Sequence, residues 1–424
     1  MNSERRRFIK AMGATAATAA FAPINVSAGS NYHVIVVGGG FAGATVAKYI
    51  RIWTGYAVDV TLIDAKPFHT SCVLSNLILN RRLPMSDLQI SYDHLISNHG
   101  IRVVHDKVTK IIPSSPAVRL KNRGELGADK IVVATGIGFE KPAGLDSSKS
   151  PHAWIAGNQT VSLARKLGNM GVDDTFIMTI PKSPYRCPPG PYERACIVAD
   201  YLQRKGYDTG DKAKVLVLDA NSDIQAEKST FSRAFNNLYG NILDYRTGVD
   251  LYGVDSDNGI VQTTAGEFQG SLLNIIPQQR ATALVRKPNA DLTGGGRWAP
   301  VDPTTYQSTL FDDIYIIGDS QGTNQPKSAH MANSQAKVCA DAIVRSLSNQ
   351  PTDTSERLEN ITTNSACYSP INSREASWLT ANFAYNQSTG QMQLAHIGEA
   401  HKWNSENYQE MFTWAQNLFT DCFI

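Results

Sequence analysis

No uninterrupted apolar stretch in this chain approaches the ~18–20 residues needed to cross a bilayer, so no transmembrane segment is expected. Charge of one sign is lacking as well: the formal net charge is +2. The first ten residues hold Arg5, Arg6, Arg7 and Lys10 against Glu4, which leaves the remainder close to neutral. Such a body has no bulk electrostatic reason to bind nucleic acid or an anionic surface. The six cysteines form no CxxC or CxxxxC pair, so any redox disulfide must join residues far apart in the chain. There is no CxxCH either, so no haem is attached to this chain. Internal repeats and low-complexity tracts are missing beyond the first thirty residues, and no metal site is expected. What remains, 424 residues with 42% hydrophobic and 18% charged side chains, is enough for two or three compact domains.

The N-terminus reads as an address. Arg5-Arg6-Arg7-Phe8-Ile9-Lys10 fits a twin-arginine pattern, with Glu4 where Ser or Thr is more usual. An Ala-rich stretch runs from Ala11 to Phe21, and Val26-Ser27-Ala28 offers a small-residue cleavage site before Gly29. Residues 1–28 are therefore expected to be a signal peptide that sends a folded, cofactor-loaded protein to the periplasm. In that compartment disulfides persist.

Immediately afterwards comes a dinucleotide-binding fingerprint in its full context. His33 to Val37 is a β-branched run, Gly38-Gly39-Gly40-Phe41-Ala42-Gly43 follows, and a helical pattern runs through Val46, Ile50 and Trp53. A second strand, Asp59 to Ile63, ends on Asp64, 21 positions beyond Gly43. Gly38 permits the tight turn, Gly40 lets backbone approach a pyrophosphate, and Gly43 allows close helix packing. The helix N-terminus offers unpaired N–H groups to the phosphates, and Asp64 is placed to accept hydrogen bonds from a ribose. Two later segments specify FAD. Lys130 to Gly138 is a strand leading into Ala134-Thr135-Gly136, and Asp313 to Asp319 is a strand that ends on Gly318-Asp319, with Asp319 aimed at the ribityl chain. A helical pattern from about Ser328 to Leu347 is expected to point its N-terminus at the flavin pyrimidine ring.

Thr175 to Ile180 and Lys214 to Asp219 read as strands of a second α/β unit, with a helix around Tyr192 to Lys205 between them. A nicotinamide site would need another GxGxxG after the first strand. Instead the segment from Pro181 to Pro191 holds five prolines, which remove backbone donors and stiffen the loop. The expected fold is α/β, with two Rossmann-like dinucleotide-binding-type domains and a C-terminal α+β interface domain. The FAD-binding domain takes residues 29–154 and 286–350, the degenerate second domain 155–285, and the C-terminal domain 351–424.

On local grounds Cys187, held in the proline-rich loop beside Arg186, is a candidate thiolate. Cys72 follows the second strand, in a position that brings the chain toward the dimethylbenzene edge of a flavin. Cys196 and Cys339 lie within helical patterns and read as small buried hydrophobes. The segments GGGFAG, VTLIDAK, SCVLSN, RCPPGPYERA, NIIPQQRA, YIIGDS, SAHMANSQAKV and ACYSP together resemble the flavoprotein of flavocytochrome c sulfide dehydrogenase, within the glutathione-reductase-like flavoproteins. That resemblance runs over nearly the whole mature chain, and His330 departs from it where a smaller residue is expected.

The resemblance implies a covalent link from Cys72 to FAD and a redox-active disulfide between Cys187 and Cys367. It also implies sulfide as substrate and a c-type cytochrome subunit as partner and electron acceptor. Two alternatives share the same residues. One is a sulfide:quinone oxidoreductase, which would use the aromatic C-terminal stretch as a membrane-surface anchor. The other is an accessory flavoprotein of a periplasmic sulfur-oxidising complex.

Overall fold

The computed structural model describes residues 32–208, 214–288 and 290–424. The expected export signal lies outside the described residues.

The chain opens with β1 (His33–Val37), α1 (Phe41–Trp53) and β2 (Asp59–Asp64), and adds β3 (Arg102–His105) and β4 (Lys130–Val133). A second unit follows, built on β5 (Phe176–Ile180), α2 (Gly190–Arg204), β6 (Val215–Asp219), β7 (Leu243–Arg246) and β8 (Leu272–Ile275). The chain then returns to the first unit with β9 (Ile314–Ile316) and α3 (Ala329–Leu347). It finishes with β10 (Thr362–Pro370), β11 (Ala376–Asn386), β12 (Gln391–Glu399) and α4 (Ser405–Phe423).

The first sheet is parallel, in the order β9-β4-β1-β2-β3, and the second is parallel in the order β7-β6-β5-β8. Central strands of such sheets are covered by helices on both faces, which is why HVIVV and VLVLD read as continuous apolar runs. In β1, residues Val34 to Val37 are all buried, and so is the whole of β5 and β6. The third sheet, β10-β11-β12, is antiparallel, with Cys367 paired opposite Leu379. This is the α/β architecture of two dinucleotide-domain-like units with a C-terminal sheet and helix.

The aromatic C-terminal stretch packs inward. Tyr408, Met411, Ala415, Leu418 and Cys422 recur at helical spacing on the buried face of α4, and Phe423 is fully buried. Burying each large apolar side chain contributes roughly 1.5–3 kcal/mol. The outer positions Gln409, Thr413, Gln416, Asn417 and Thr420 are exposed and polar. An interfacial anchor needs its apolar face turned outward, so α4 is not built as one. Among the described residues no helix is long and apolar enough to cross a membrane.

Candidate active site: a dinucleotide cleft joined to a cysteine chamber

Two adjoining cavities lie between the first unit, the loop before α2 and the C-terminal sheet. The larger, about 1000 Å³ of open space, is lined by Gly38, Gly40, Asp64, Cys72, Ala134, Thr135, Gly136, Gly318 and Asp319. The structure thus gathers into one cleft nearly all the residues singled out for the cofactor, from segments far apart in sequence. Gly43 is not on the wall. A Cβ there would stand 1.8 Å from the Gly38 carbonyl oxygen, so its role is to let α1 pack against the turn. Gly38 adopts φ +102°, and a Cβ on it would meet the Ala134 carbonyl at 2.5 Å. Gly39, which the fingerprint leaves unspecified, is needed because the Tyr92 ring lies over it and would contact a Cβ at 2.4 Å.

The cleft carries unspent polar groups that suit FAD. No side chain caps the N-terminus of α1, so its first N–H groups remain open to a pyrophosphate. Asp64 accepts from Gly39 N at 2.7 Å and Lys66 N at 2.8 Å, which fixes the carboxylate at the end of β2. Asp319 is partly buried on the cleft wall, with Oδ1 bound to nothing, and burial raises its pKa. An orphaned carboxylate oxygen of this kind is matched by ribityl hydroxyls. His69, clamped by Phe41 and stacked on Phe423 at 5.2 Å, also borders the cleft, and burial lowers its pKa to about 3. Ser328, Ala329 and Ala332 bring the N-terminus of α3 to the same wall. The donor set and the space both fit FAD.

The second cavity, about 750 Å³, holds Cys72, Cys187 and Cys367 together, with Arg186, Glu193 and His330. Cys72 and Arg186 line both cavities and mark their junction. One short turn seats both distant cysteines. Cys187 N donates to the Lys327 carbonyl at 2.6 Å, while Ala366 N donates to His330 Nδ1 at 2.9 Å. Ser328 caps α3 and its hydroxyl also meets that of Ser365 at 2.8 Å. His330 is thus the residue that ties β10 to the start of α3, which accounts for a ring where a smaller residue was expected. Cys187 takes the left-handed φ of 57°, which disfavours any side chain that bears a Cβ. Gly190 leaves it room: a Cβ there would stand 3.0 Å from Cys187 Sγ and 3.1 Å from the Trp154 ring.

The structure carries all six cysteines as thiols, and those of Cys187 and Cys367 are close enough to interact. Arg186 does pull Cys187 toward the thiolate, as expected, but in this state it is outweighed. Contact with Cys367, then burial, push the Cys187 pKa well above the usual thiol range, against the smaller opposing pull of Arg186. Burial likewise raises Cys72. Cys196 and Cys339 are fully buried in α2 and α3, and Cys422 in α4.

Glu193 escaped the sequence reading, although it stands within RCPPGPYER. It lies one turn into α2, lines the cysteine chamber, and accepts from Asn76 Nδ2 at 2.9 Å. Burial raises its pKa to about 8, so it is protonated at neutral pH and stands beside two thiols. The adjacent Arg194 is 2% exposed and fully committed. It donates to Asn76 Oδ1 at 2.9 Å, to the carbonyls of His152 and Ala153 at 2.8 and 2.9 Å, and to Asn274 Oδ1 at 3.1 Å. The one sequence signal for this pair is a Glu-Arg step inside an otherwise apolar helix start.

In the second unit, the acid that ends β6 is closed to a nucleotide. Asp219 is 0% exposed and takes hydrogen bonds from Tyr192 at 2.9 Å, Tyr245 at 2.8 Å, and Asn221. The position where a Rossmann unit presents an acid to ribose is occupied by the protein's own phenols.

Fold and site together define a flavoprotein with two dinucleotide-domain-like units, the second of which has become the wall of a cysteine chamber. Residues 32–167 match the family model of pyridine nucleotide-disulphide oxidoreductases, and residues 160–277 match that of the central part of the sulfide dehydrogenase (flavocytochrome c) flavoprotein chain. Together the two matches run from residue 32 to 277 and support a pyridine nucleotide-disulphide oxidoreductase-like flavoprotein. It is 22% identical over 332 residues to the mitochondrial sulfide:quinone oxidoreductase of Dictyostelium discoideum, covering 73% of this chain and 70% of that one. Over 45 residues it is 44% identical to the sulfide dehydrogenase (flavocytochrome c) flavoprotein chain of Chlorobaculum thiosulfatiphilum, covering 11% of this chain and 92% of that one. The sulfide:quinone oxidoreductase structure from Aquifex aeolicus superposes with a TM-score of 0.76 at 16% identity, covering 92% of this chain and 91% of that one.

Proposed function

We propose that this protein is a sulfide-oxidising flavoenzyme that works through a Cys187–Cys367 disulfide and passes electrons to a c-type cytochrome. The observation that carries the reading is the chamber itself: two thiols in contact, 180 residues apart in sequence, opening through Cys72 and Arg186 onto the cofactor cleft.

Hydrosulfide bonds to one sulfur of the oxidised pair, and the S–S bond breaks. Glu193, protonated at neutral pH, gives its proton to the departing thiolate. A second hydrosulfide takes the outer sulfur away as disulfide anion and leaves two thiols. Re-forming the disulfide releases two electrons and two protons, one of which returns to Glu193. FAD, held by Gly38, Gly40, Asp64 and Asp319, supplies two-electron acceptance and stepwise one-electron release. Cys72, which lines both cavities, carries the proposed covalent bond to that cofactor.

The cytochrome reading is supported by the match over residues 160–277 and by the polar outer face of α4. A quinone acceptor is the second reading, and the similarity to mitochondrial sulfide:quinone oxidoreductases over most of the chain favours it. Purified protein, anaerobically mixed with sulfide, should lose its flavin absorbance, and Cys187→Ser should keep FAD yet fail to bleach. Retained bleaching in that variant would defeat the disulfide mechanism. Reduction of cytochrome c without added quinone, by protein released in a carbonate wash, supports the first acceptor; strict dependence on a quinone selects the second. Recovery of the mature chain in the periplasmic fraction tests the proposed twin-arginine export.

A further inference from the structure

Arg186 lies at the junction of the two cavities, on the loop that carries Cys187. Its backbone is fastened on both sides: its N–H donates to Gln279 Oε1 at 2.7 Å, and Trp154 Nε1 donates to its carbonyl at 3.2 Å. Its guanidinium, by contrast, has no hydrogen bond or ion pair among the described residues. Neighbouring cations are committed. Arg194 spends its donors on four acceptors, and Lys327 donates to the Gln321 carbonyl at 2.6 Å while lying 3.9 Å over the Trp298 ring. Two carboxyls stand near it, and burial raises both: Glu193, in the chamber, to about 8, and Asp319, in the cofactor cleft, against the pull of Arg186 itself. The remaining walls include Trp154, Pro189, Pro370, Met411 and Trp414.

A fixed cation among apolar walls concentrates anions more strongly than the same cation in water. Guanidinium also stays charged at every working pH and is weakly hydrated, so little hydration must be given up to pair it.

We infer that Arg186 forms an anion subsite where the cysteine chamber joins the cofactor cleft, which selects small monoanionic sulfur nucleophiles, hydrosulfide among them, for delivery to the Cys187–Cys367 pair. The substrate part of this inference rests on the sulfide reading above; the anion subsite does not. Its role is positional, since Arg186 acts through the ion it holds and forms no bond with it.

The test uses thiol alkylation, which needs neither sulfide nor turnover. The FAD-loaded protein is reduced with dithiothreitol, freed of reductant, and treated with anionic iodoacetate or neutral iodoacetamide, and labelling of Cys187 and Cys367 is followed by peptide mass. The iodoacetate-to-iodoacetamide rate ratio should fall about tenfold or more in Arg186→Gln. Arg186→Lys should restore most of it, and the wild-type ratio should shrink as salt rises. An unchanged ratio in Arg186→Gln overturns the inference, and so do wild-type thiols that react with neither reagent. Weakened flavin retention with an unchanged ratio would assign Arg186 to the cofactor instead. If the ratio behaves as expected while sulfide fails to bleach the flavin, the subsite stands and the sulfide reading falls.

Discussion

Replacing Glu193 by Gln should make the protein more stable at high pH, by an amount set by how strongly burial holds the proton on this carboxyl. The side chain is 8% exposed and its neighbour Asn76 donates to it at 2.9 Å, a bond the Gln oxygen can also accept. In the unfolded chain Glu193 ionises near 4.5; in the folded protein it ionises near 8. The folded state therefore binds the proton more tightly. Its contribution to stability is complete below about pH 4.5, falls by ~1.4 kcal/mol per pH unit as pH rises, and is gone above about pH 8. Across that window wild type loses roughly 5 kcal/mol that the Gln variant keeps. Glu227, buried and raised to about 7, titrates in both proteins, and its charge adds to the rise at Glu193. Urea unfolding of both FAD-loaded proteins from pH 5 to pH 9 measures it. A difference that stays within about 1 kcal/mol between pH 5 and pH 8 would refute the raised pKa, and with it the proton-donor role.

Three further outcomes follow from the geometry. After acid precipitation yellow colour should remain in the wild-type pellet and pass to the supernatant in Cys72→Ala; colour released from wild type would exclude covalent FAD. Gly43→Ala places a Cβ 1.8 Å from the Gly38 oxygen, so α1 must move off the turn, and the flavin-to-protein absorbance ratio of the purified protein should fall well below that of wild type. Full flavin occupancy in that variant would contradict the packing account. Arg194→Met leaves Asn76, Ala153 and Asn274 without their buried donor, which should cost about 3–5 kcal/mol in chemical denaturation; a loss under about 1 kcal/mol would mean that those acceptors find other partners.

Much of the fold was legible because its signals are local. The glycine turn, the strands on either side and Asp64 lie within one βαβ segment, and the chemistry of a dinucleotide turn is settled by backbone freedom and hydrogen bonding inside that segment. Local too was the loss of the second nucleotide site, since prolines after β5 remove donors wherever the loop lies. The aromatic C-terminus was ambiguous for the opposite reason. Tyr408, Trp414 and Phe423 suit a membrane surface or a protein core equally well in sequence, and only the packing of α4 onto the second unit, the cysteine chamber and α1 turned them inward.

By itself, then, the sequence determined the dinucleotide-binding architecture, the cofactor class and the absence of a second glycine cradle, because each depends on residues a few positions apart. Tertiary structure alone decided which groups share the cysteine chamber and in what charge state. The turn from Lys327 to His330 brings Cys187 and Cys367 together by binding the loop that carries the first and the strand that carries the second. Glu193 holds its proton because burial outweighs the Asn76 hydrogen bond and the Arg194 charge, which both favour the carboxylate. The thiol of Cys187 rises in pKa despite Arg186 because contact and desolvation outweigh a single nearby charge. Ionisation is a property of surroundings in three dimensions, and those surroundings come from segments that no local pattern connects.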